Sequence, residues 1–297
     1  MEFRQLRYFL AIVEAGSVSA ASRRIHIAQP ALTRQMRLLE EELEIKLFER
    51  HARGISLTMA GRSLVEYAEE LVARHDELKG RLAALGHGMT GRLNLAVTVT
   101  HLWMPQVSAL LREYRQRYPS VAMEVTPLLS GPQLERLREG TLDAGLLYLD
   151  RDDTVEITSM KVRDDKLLLA VPADSHWASN PPQRLSELEH TDFVWAFRHI
   201  SPEYHDRMTQ HFRRLNFHPR VVQYGADNIA ILSMVSAGLG ITIVPDSACA
   251  NPMPSVVFLR MEELEQCIMP LHLAWREDND SPTVANLGGL VREHLET

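Results

Sequence analysis

Cysteine is scarce: two in 297 residues, Cys249 and Cys267, outside any C-x-x-C spacing, which excludes a disulfide-built scaffold and leaves thiols that read as reduced and inert. No apolar run approaches the roughly 18 residues that a bilayer span requires, and the first residues lack the basic-then-apolar order of an export signal. A cytoplasmic location is expected. The chain also lacks a G-x-S-x-G elbow, a G-x-x-x-x-G-K-[ST] phosphate loop and an H-E-x-x-H pair, and its 13 histidines fall at no metal-ligand spacing. No catalytic residue, metal or cofactor is therefore expected. An α/β enzyme is disfavoured on that ground, and an exported solute-binding protein on the missing export signal.

What is present describes an ordinary folded chain, 45% hydrophobic and 24% charged, long enough for two or three domains. Its net charge of −7 is uneven: residues 1–58 sum to +2, residues 59–90 to −1 and the remainder to −8. An acidic bulk discourages non-specific adhesion, while a basic terminal segment keeps a local attraction for phosphate.

That terminal segment carries a pattern. Leu6, Phe9, Leu10 and Val13 keep helical spacing, Gly16 is placed to end the helix and Ser17 to cap the next. Ala20 and Ala21 are small enough for crossing helices to approach, and Ile25 adds core. Residues 28–35 then read Ala-Gln-Pro-Ala-Leu-Thr-Arg-Gln, with Pro30 fitting the first turn of a third helix. Leu32, Met36, Leu39 and Leu43 form its apolar stripe, while Gln29, Pro30, Thr33, Arg34 and Arg37 point away with chemistry suited to base edges and phosphates. This is a helix-turn-helix pattern. Beyond it, Leu47-Phe48-Glu49-Arg50 and Arg53-Gly54 suggest a basic β-wing that brings Arg50 and Arg53 to phosphates or a minor groove.

These residues resemble the LysR-type transcriptional regulators. The resemblance rests on Leu6-Arg7-Tyr8-Phe9, Ala20-Ala21, Gln29 to Gln35, Leu39-Glu40, Leu47 to Arg50, Leu57-Thr58 and Ala60-Gly61. It continues through Tyr118-Pro119, Gly140-Thr141-Leu142-Asp143 and Ala237-Gly238-Leu239-Gly240-Ile241, so it covers essentially the whole chain. It looks closest to the aromatic-catabolism branch that responds to muconate or chlorocatechol. One departure is Glu44, where the family has Gly, which puts the shape of the turn leaving the third helix in question.

The expected architecture is an all-α winged helix-turn-helix domain over 1–58, a linker helix over 59–90 and an α/β effector domain over 91–297. In the linker, Leu64, Ala68, Leu71, Leu78, Leu82 and Leu85 fall on an alternating 4,3 spacing with only His75 polar, a coiled-coil seam that needs a partner helix. Later strands, over 92–99, 121–126 and 143–149 and then 166–171, 193–197, 220–223 and 241–245, alternate with helices in two series, implying two open α/β lobes, with the last strand near 271–275 and the closing helix near 284–295 returning to the first lobe. Lobe I is expected over about 91–163 and 268–297 and lobe II over about 164–267. The resemblance makes them a periplasmic-binding-protein-like pair around a ligand cleft.

Ligands of open α/β sheets sit beyond the carboxyl ends of strands, near helix N-termini. Loops holding Thr100-His101, Ser130-Gly131, Phe197-Arg198-His199 and Asp227 qualify, with Tyr148 closing a strand nearby. The resemblance implies that Thr100 and Ser130 hold an effector carboxylate, and Arg198 is a candidate countercharge. Tyr148 stands where muconate-responsive relatives have Arg, which favours a small monoanion over a dianion. The implied partners are double-stranded DNA, a small-molecule effector, other copies of the chain in a homodimer and homotetramer, and RNA polymerase as a further candidate, with no membrane. A redox-responsive regulator using Cys249 and Cys267 is the alternative.

Overall fold

In the computed structural model, which describes residues 1–51, 54–149, 156–251 and 253–295, the chain forms two compact units, 1–84 and 85–297. The first begins with α1 (Phe3–Ala15), opened by a capping box between Glu2 and Gln5 and closed by Gly16 at φ +66°. Only glycine takes that left-handed turn without a Cβ penalty. Ser17 accepts the Ala20 amide at 3.1 Å and so starts α2 (Val18–Arg24), and α3 (Gln29–Glu42) follows with proline in its first turn.

Leu6, Phe9, Ile12, Ala21, Leu32, Met36 and Leu39 close a core beneath the three helices. Leu43, the expected fourth member of the α3 stripe, is instead 37% exposed. The helix stops at Glu42, Leu43 is its C-cap and Glu44 turns left-handed at φ +55°, so the helical period no longer applies and Leu47 fills the place. A β-branched residue at Glu44 would be strained; glutamate tolerates the turn at a cost of about 1–2 kcal/mol.

Strands β1 (Phe48–His51) and β2 (Gly54–Leu57) pair antiparallel as a wing. Helix α4 (Met59–Gly86) then uses the near part of its seam on its own domain, where Ala68 is fully buried with Leu64, Val65 and Val72 around it. Gly61 makes the approach: a Cβ there would overlap the Leu47 carbonyl oxygen. Farther along, Leu71, Leu78, Leu82 and Leu85 are 42% to 58% exposed. His75, the polar member, stacks on Phe3 with ring centroids 4.2 Å apart.

In the second unit, one sheet runs in the order β4-β3-β5-β12-β6. Its members are β3 (Thr90–Val97), β4 (Ser120–Pro127), β5 (Ala144–Tyr148), β6 (Ile157–Asp165) and β12 (Met269–Arg276). Strand β3 is parallel to β4 and β5, and β12 returns antiparallel between β5 and β6. Helices α5 (Val99–Leu102), α6 (Pro105–Arg117), α7 (Ser130–Arg138) and α12 (Pro282–Leu295) belong to this lobe. Val99, expected in the first strand, opens α5 instead.

The other lobe holds β7 (Leu167–Pro172) between β10 (Thr242–Pro245) and β11 (Val256–Leu259), and β8 (Asp192–Ala196) parallel to β9 (Arg220–Gly225). A bridge from Phe193 to Ile241 joins the two sets. Helices α8 (His176–Ser179), α9 (Pro202–Arg214), α10 (Asn228–Ser236) and α11 (Glu262–Glu265) pack on them. Strands β6 and β11 are not among the strands read from the sequence. Most of β6 is half-buried or exposed, whereas β5 and β7 are buried throughout and read as apolar runs. Among the described residues no helix is long and apolar enough to cross a membrane.

Candidate DNA-reading surface and ligand cleft

On α3, Gln29, Pro30, Arg34 and Arg37 are exposed and Thr33 is half-buried, while Leu32, Met36 and Leu39 face the core. The five polar-face residues therefore share one surface. Arg34 makes no ion pair among the described residues, and Arg37 pairs with Glu41 at 2.8 Å along the helix. Of Arg50 only the backbone, in β1, is described, and Arg53 lies outside the described residues.

Glu40, noted in the sequence only as part of a motif, positions the wing. Its Oε1 accepts the Leu47 amide at 2.9 Å and the Phe48 amide at 3.3 Å, and Lys46 lies 2.7 Å from the other oxygen. Partial burial alone would raise the carboxyl, but Lys46 and the two amides outweigh it and hold Glu40 below the usual range. The contact spans seven and eight residues through a turn, beyond what helical or strand periodicity registers.

Between the lobes, two adjoining cavities of about 150 and 20 Å³ share Thr98, Leu129, Asp227 and Asn228. Thr100 lines the larger and Ser130 and Tyr148 the smaller. Ser130 Oγ accepts the Tyr148 amide at 3.0 Å, and Thr100 Oγ1 lies 3.5 Å from Asn228 Nδ2. Among the described residues neither hydroxyl donates its own hydrogen, so both remain available as donors. Helix α7 begins here with no side-chain cap, while Asp227 caps α10 by accepting the Ala230 amide at 2.8 Å.

Behind this wall is a buried polar chain. The Tyr148 hydroxyl donates to Asp165 Oδ2 at 2.6 Å and lies 2.9 Å from His101 Nε2. Because the phenol's single hydrogen goes to Asp165, His101 Nε2 must donate, which fixes its tautomer. Arg163 Nε lies 2.7 Å from Asp165 Oδ1, and Arg163 Nη2 donates to both oxygens of Asp246 at 3.0 and 3.2 Å. Burial would raise the Asp165 carboxyl, but hydrogen bonds from His101 and Tyr148 and the nearby cation Arg163 prevail and hold it low. Burial, followed by the charge of Asp165, pushes the Tyr148 hydroxyl well up, so it stays a proton donor.

Of the sequence candidates, Thr100, Ser130, Tyr148 and Asp227 converge on the cleft and His101 lies behind Tyr148. Phe197, Arg198 and His199 are placed elsewhere. Arg198 is held in a two-pronged pair with Asp206 at 2.7 and 2.5 Å, and Phe197 stacks on Tyr224 at 4.8 Å with His199 beside it. None of the three lines either cavity. Their signal in sequence was position after a strand, which does not reveal that α9 supplies Asp206 as the Arg198 partner.

A larger cavity of about 360 Å³ opens on the first lobe alone, among α6, β6 and α12. The interlobe cleft is the stronger candidate because it draws groups from both lobes, so occupancy there couples to their setting. Gly131 marks how closely they meet: a Cβ at that position would overlap the His199 carbonyl oxygen and crowd Pro202. Gly131→Ala is expected to hold the lobes apart and weaken cleft ligands about tenfold, in line with roughly 1–3 kcal/mol for overpacking. Calorimetry on the folded variant checks this, and unchanged affinity would contradict it.

The thiols offer no support for redox control. Burial pushes Cys249 up to about 11 and also raises Cys267, which is buried with its sulfur 3.9 Å from Met208 Sδ. A reactive thiolate needs the opposite shift.

Comparison with known proteins bears on both surfaces. Residues 3–62 match the model of the bacterial regulatory helix-turn-helix protein, lysR family, and residues 86–296 match the LysR substrate binding domain. The HTH-type transcriptional regulator TcbR of Pseudomonas sp. (strain P51) is 31% identical over 293 residues, covering 98% of each chain. ClcR of Pseudomonas putida is 31% identical over 292 residues, again with 98% of each covered. The crystal structure of CbnR, a LysR family transcriptional regulator, superposes with a TM-score of 0.75 at 30% identity, covering 98% of this chain and 100% of that one. Full-length CbnR complexed with its target DNA gives 0.73 at 29% identity, covering 99% of each. The chain belongs to the LysR family of bacterial helix-turn-helix proteins, and it is a DNA-binding transcriptional regulator with a ligand-binding domain, not an enzyme.

Proposed function

We propose that α3 is the reading helix, with Gln29, Pro30, Thr33, Arg34 and Arg37 at the major groove and Arg50 and Arg53 of the wing at phosphates or the minor groove. The carrying observation is the division of α3 into a buried apolar face and an exposed polar one, with Arg34 making no ion pair among the described residues. That CbnR, similar over 99% of this chain, has been solved complexed with its target DNA supports a duplex as the partner. A small organic carboxylate, aromatic in body, is the proposed effector. Thr100 and Ser130 donate to it and the uncapped N-terminus of α7 adds a favourable dipole. Aliphatic walls from Leu128, Leu129 and Ile229 take the ring.

The exposed leucines of α4 form the dimer seam in this reading, and pairs of dimers give the tetramer. Two reading helices then meet half-sites about 34–36 Å apart or a multiple of that. A cytoplasmic location and contact with RNA polymerase follow from the role. Effector control requires different affinities for two lobe settings, since equal affinity shifts nothing. Selection from a random duplex library tests the reading. The expected result is enrichment of a two-part site whose occupancy changes with a carboxylate effector, and a pool without sequence preference would end it.

A further inference from the structure

The charge inventory of the interlobe cavities is one-sided. Among the described residues no Lys, Arg or His lines either of them, and the one acidic side chain that does is Asp227. Two cations of this lobe pair, among the described residues, are committed: Arg198 to Asp206, and Arg163 to Asp165 and Asp246. Behind Tyr148 stand the two carboxylates of that last group, so the floor adds no positive field beyond the shared Arg163. The available donors are neutral: the Thr100 and Ser130 hydroxyls, each nearly fully buried, and the α7 amides.

We infer that the cleft selects a ligand with one carboxylate and an apolar body, and rejects one with a second carboxylate. This rests on the cleft being the effector site. Two hydroxyls and a helix N-terminus satisfy one carboxylate without a countercharge. A second carboxylate in the same small space loses its hydration, gains no cation and faces Asp227. A neutral amide analogue forfeits the dipole interaction and the charge-assisted hydrogen bonds. Asp227 is the specificity-determining residue, and its charge is separable from its capping role because asparagine caps a helix as well as aspartate does.

The test is calorimetry on the full chain with benzoate, terephthalate and benzamide as probes, for wild type and Asp227→Asn. Wild type is expected to bind benzoate at least about tenfold more tightly than either analogue. In Asp227→Asn the benzoate-to-terephthalate ratio is expected to fall about threefold, the scale of one partly exposed charge. An unchanged ratio in that variant means discrimination by size and overturns the assignment to Asp227. Equal affinity for benzoate and terephthalate in wild type overturns the inference and leaves the site standing. Benzamide binding as tightly as benzoate removes the need for an anion and overturns it as well. If none of the three binds, the reading of the cleft falls, and the inference with it.

Discussion

Asp165→Ala is expected to cost about 3–5 kcal/mol of stability in urea unfolding, because it breaks a buried ion pair from one side only. Asp165 is fully buried at the end of β6, two residues before β7 begins, where the chain crosses between lobes. Its carboxylate accepts from Tyr148 at 2.6 Å and faces Arg163 at 2.7 Å, and Arg163 reaches on to Asp246, the first residue past β10. Alanine leaves the phenol without its acceptor and Arg163 with one carboxylate instead of two. A loss below about 1 kcal/mol would mean that the chain of contacts contributes only locally.

The pH dependence carries a sign. Asp165 sits below its ordinary range when folded, so its contribution is present above the unfolded value and fades as pH falls through the folded one. Asp246 is raised by burial and by the charge of Asp165, so it contributes in the opposite sense, below its unfolded value, and that contribution is lost as pH rises through its folded value. Asp165→Asn should therefore flatten the acid side of the stability profile more than the neutral region.

This network also shows what a sequence conceals. Gly16, Ser17 and Pro30 act on their own neighbours, so the ends of α1, α2 and α3 were legible as single-residue chemistry. Two-faced periodicity likewise exposed the reading surface, and apolar runs exposed β5 and β7. Leu43 leaves the stripe because the helix ends one residue before it, at Glu42, and Glu44 then turns left-handed. The cleft was half legible. Thr100, Ser130 and Asp227 follow from loop position, but which cations are free there depends on partners elsewhere in the chain: Asp206 for Arg198, Asp165 and Asp246 for Arg163. Glu40 belongs with these, since its ties to Leu47 and Phe48 cross a turn that has no period.

Arg34→Ala is expected to weaken binding to the selected duplex about ten- to a hundredfold, the range of roughly 1–3 kcal/mol for one good base contact, and to relax preference at the contacted base pair. Arg34 is exposed on α3 and has no ion-pair partner within the described residues, so engaging a guanine edge breaks nothing inside the protein. Arg37 provides the internal contrast. It must share its guanidinium with Glu41, a helix pair worth only about 0.3–0.5 kcal/mol, and a phosphate would readily take it over. Arg37→Ala should thus lower affinity similarly for selected and scrambled duplexes and reduce the salt slope by about one. Fluorescence anisotropy at fixed salt, with both duplexes and both variants, separates the two roles. Since Arg34 packs on nothing in the core, its variant should melt within about 0.5 kcal/mol of wild type, so lost binding cannot be ascribed to unfolding. An Arg34→Ala protein that still prefers the selected duplex to the scrambled one would move base reading to another residue of the face.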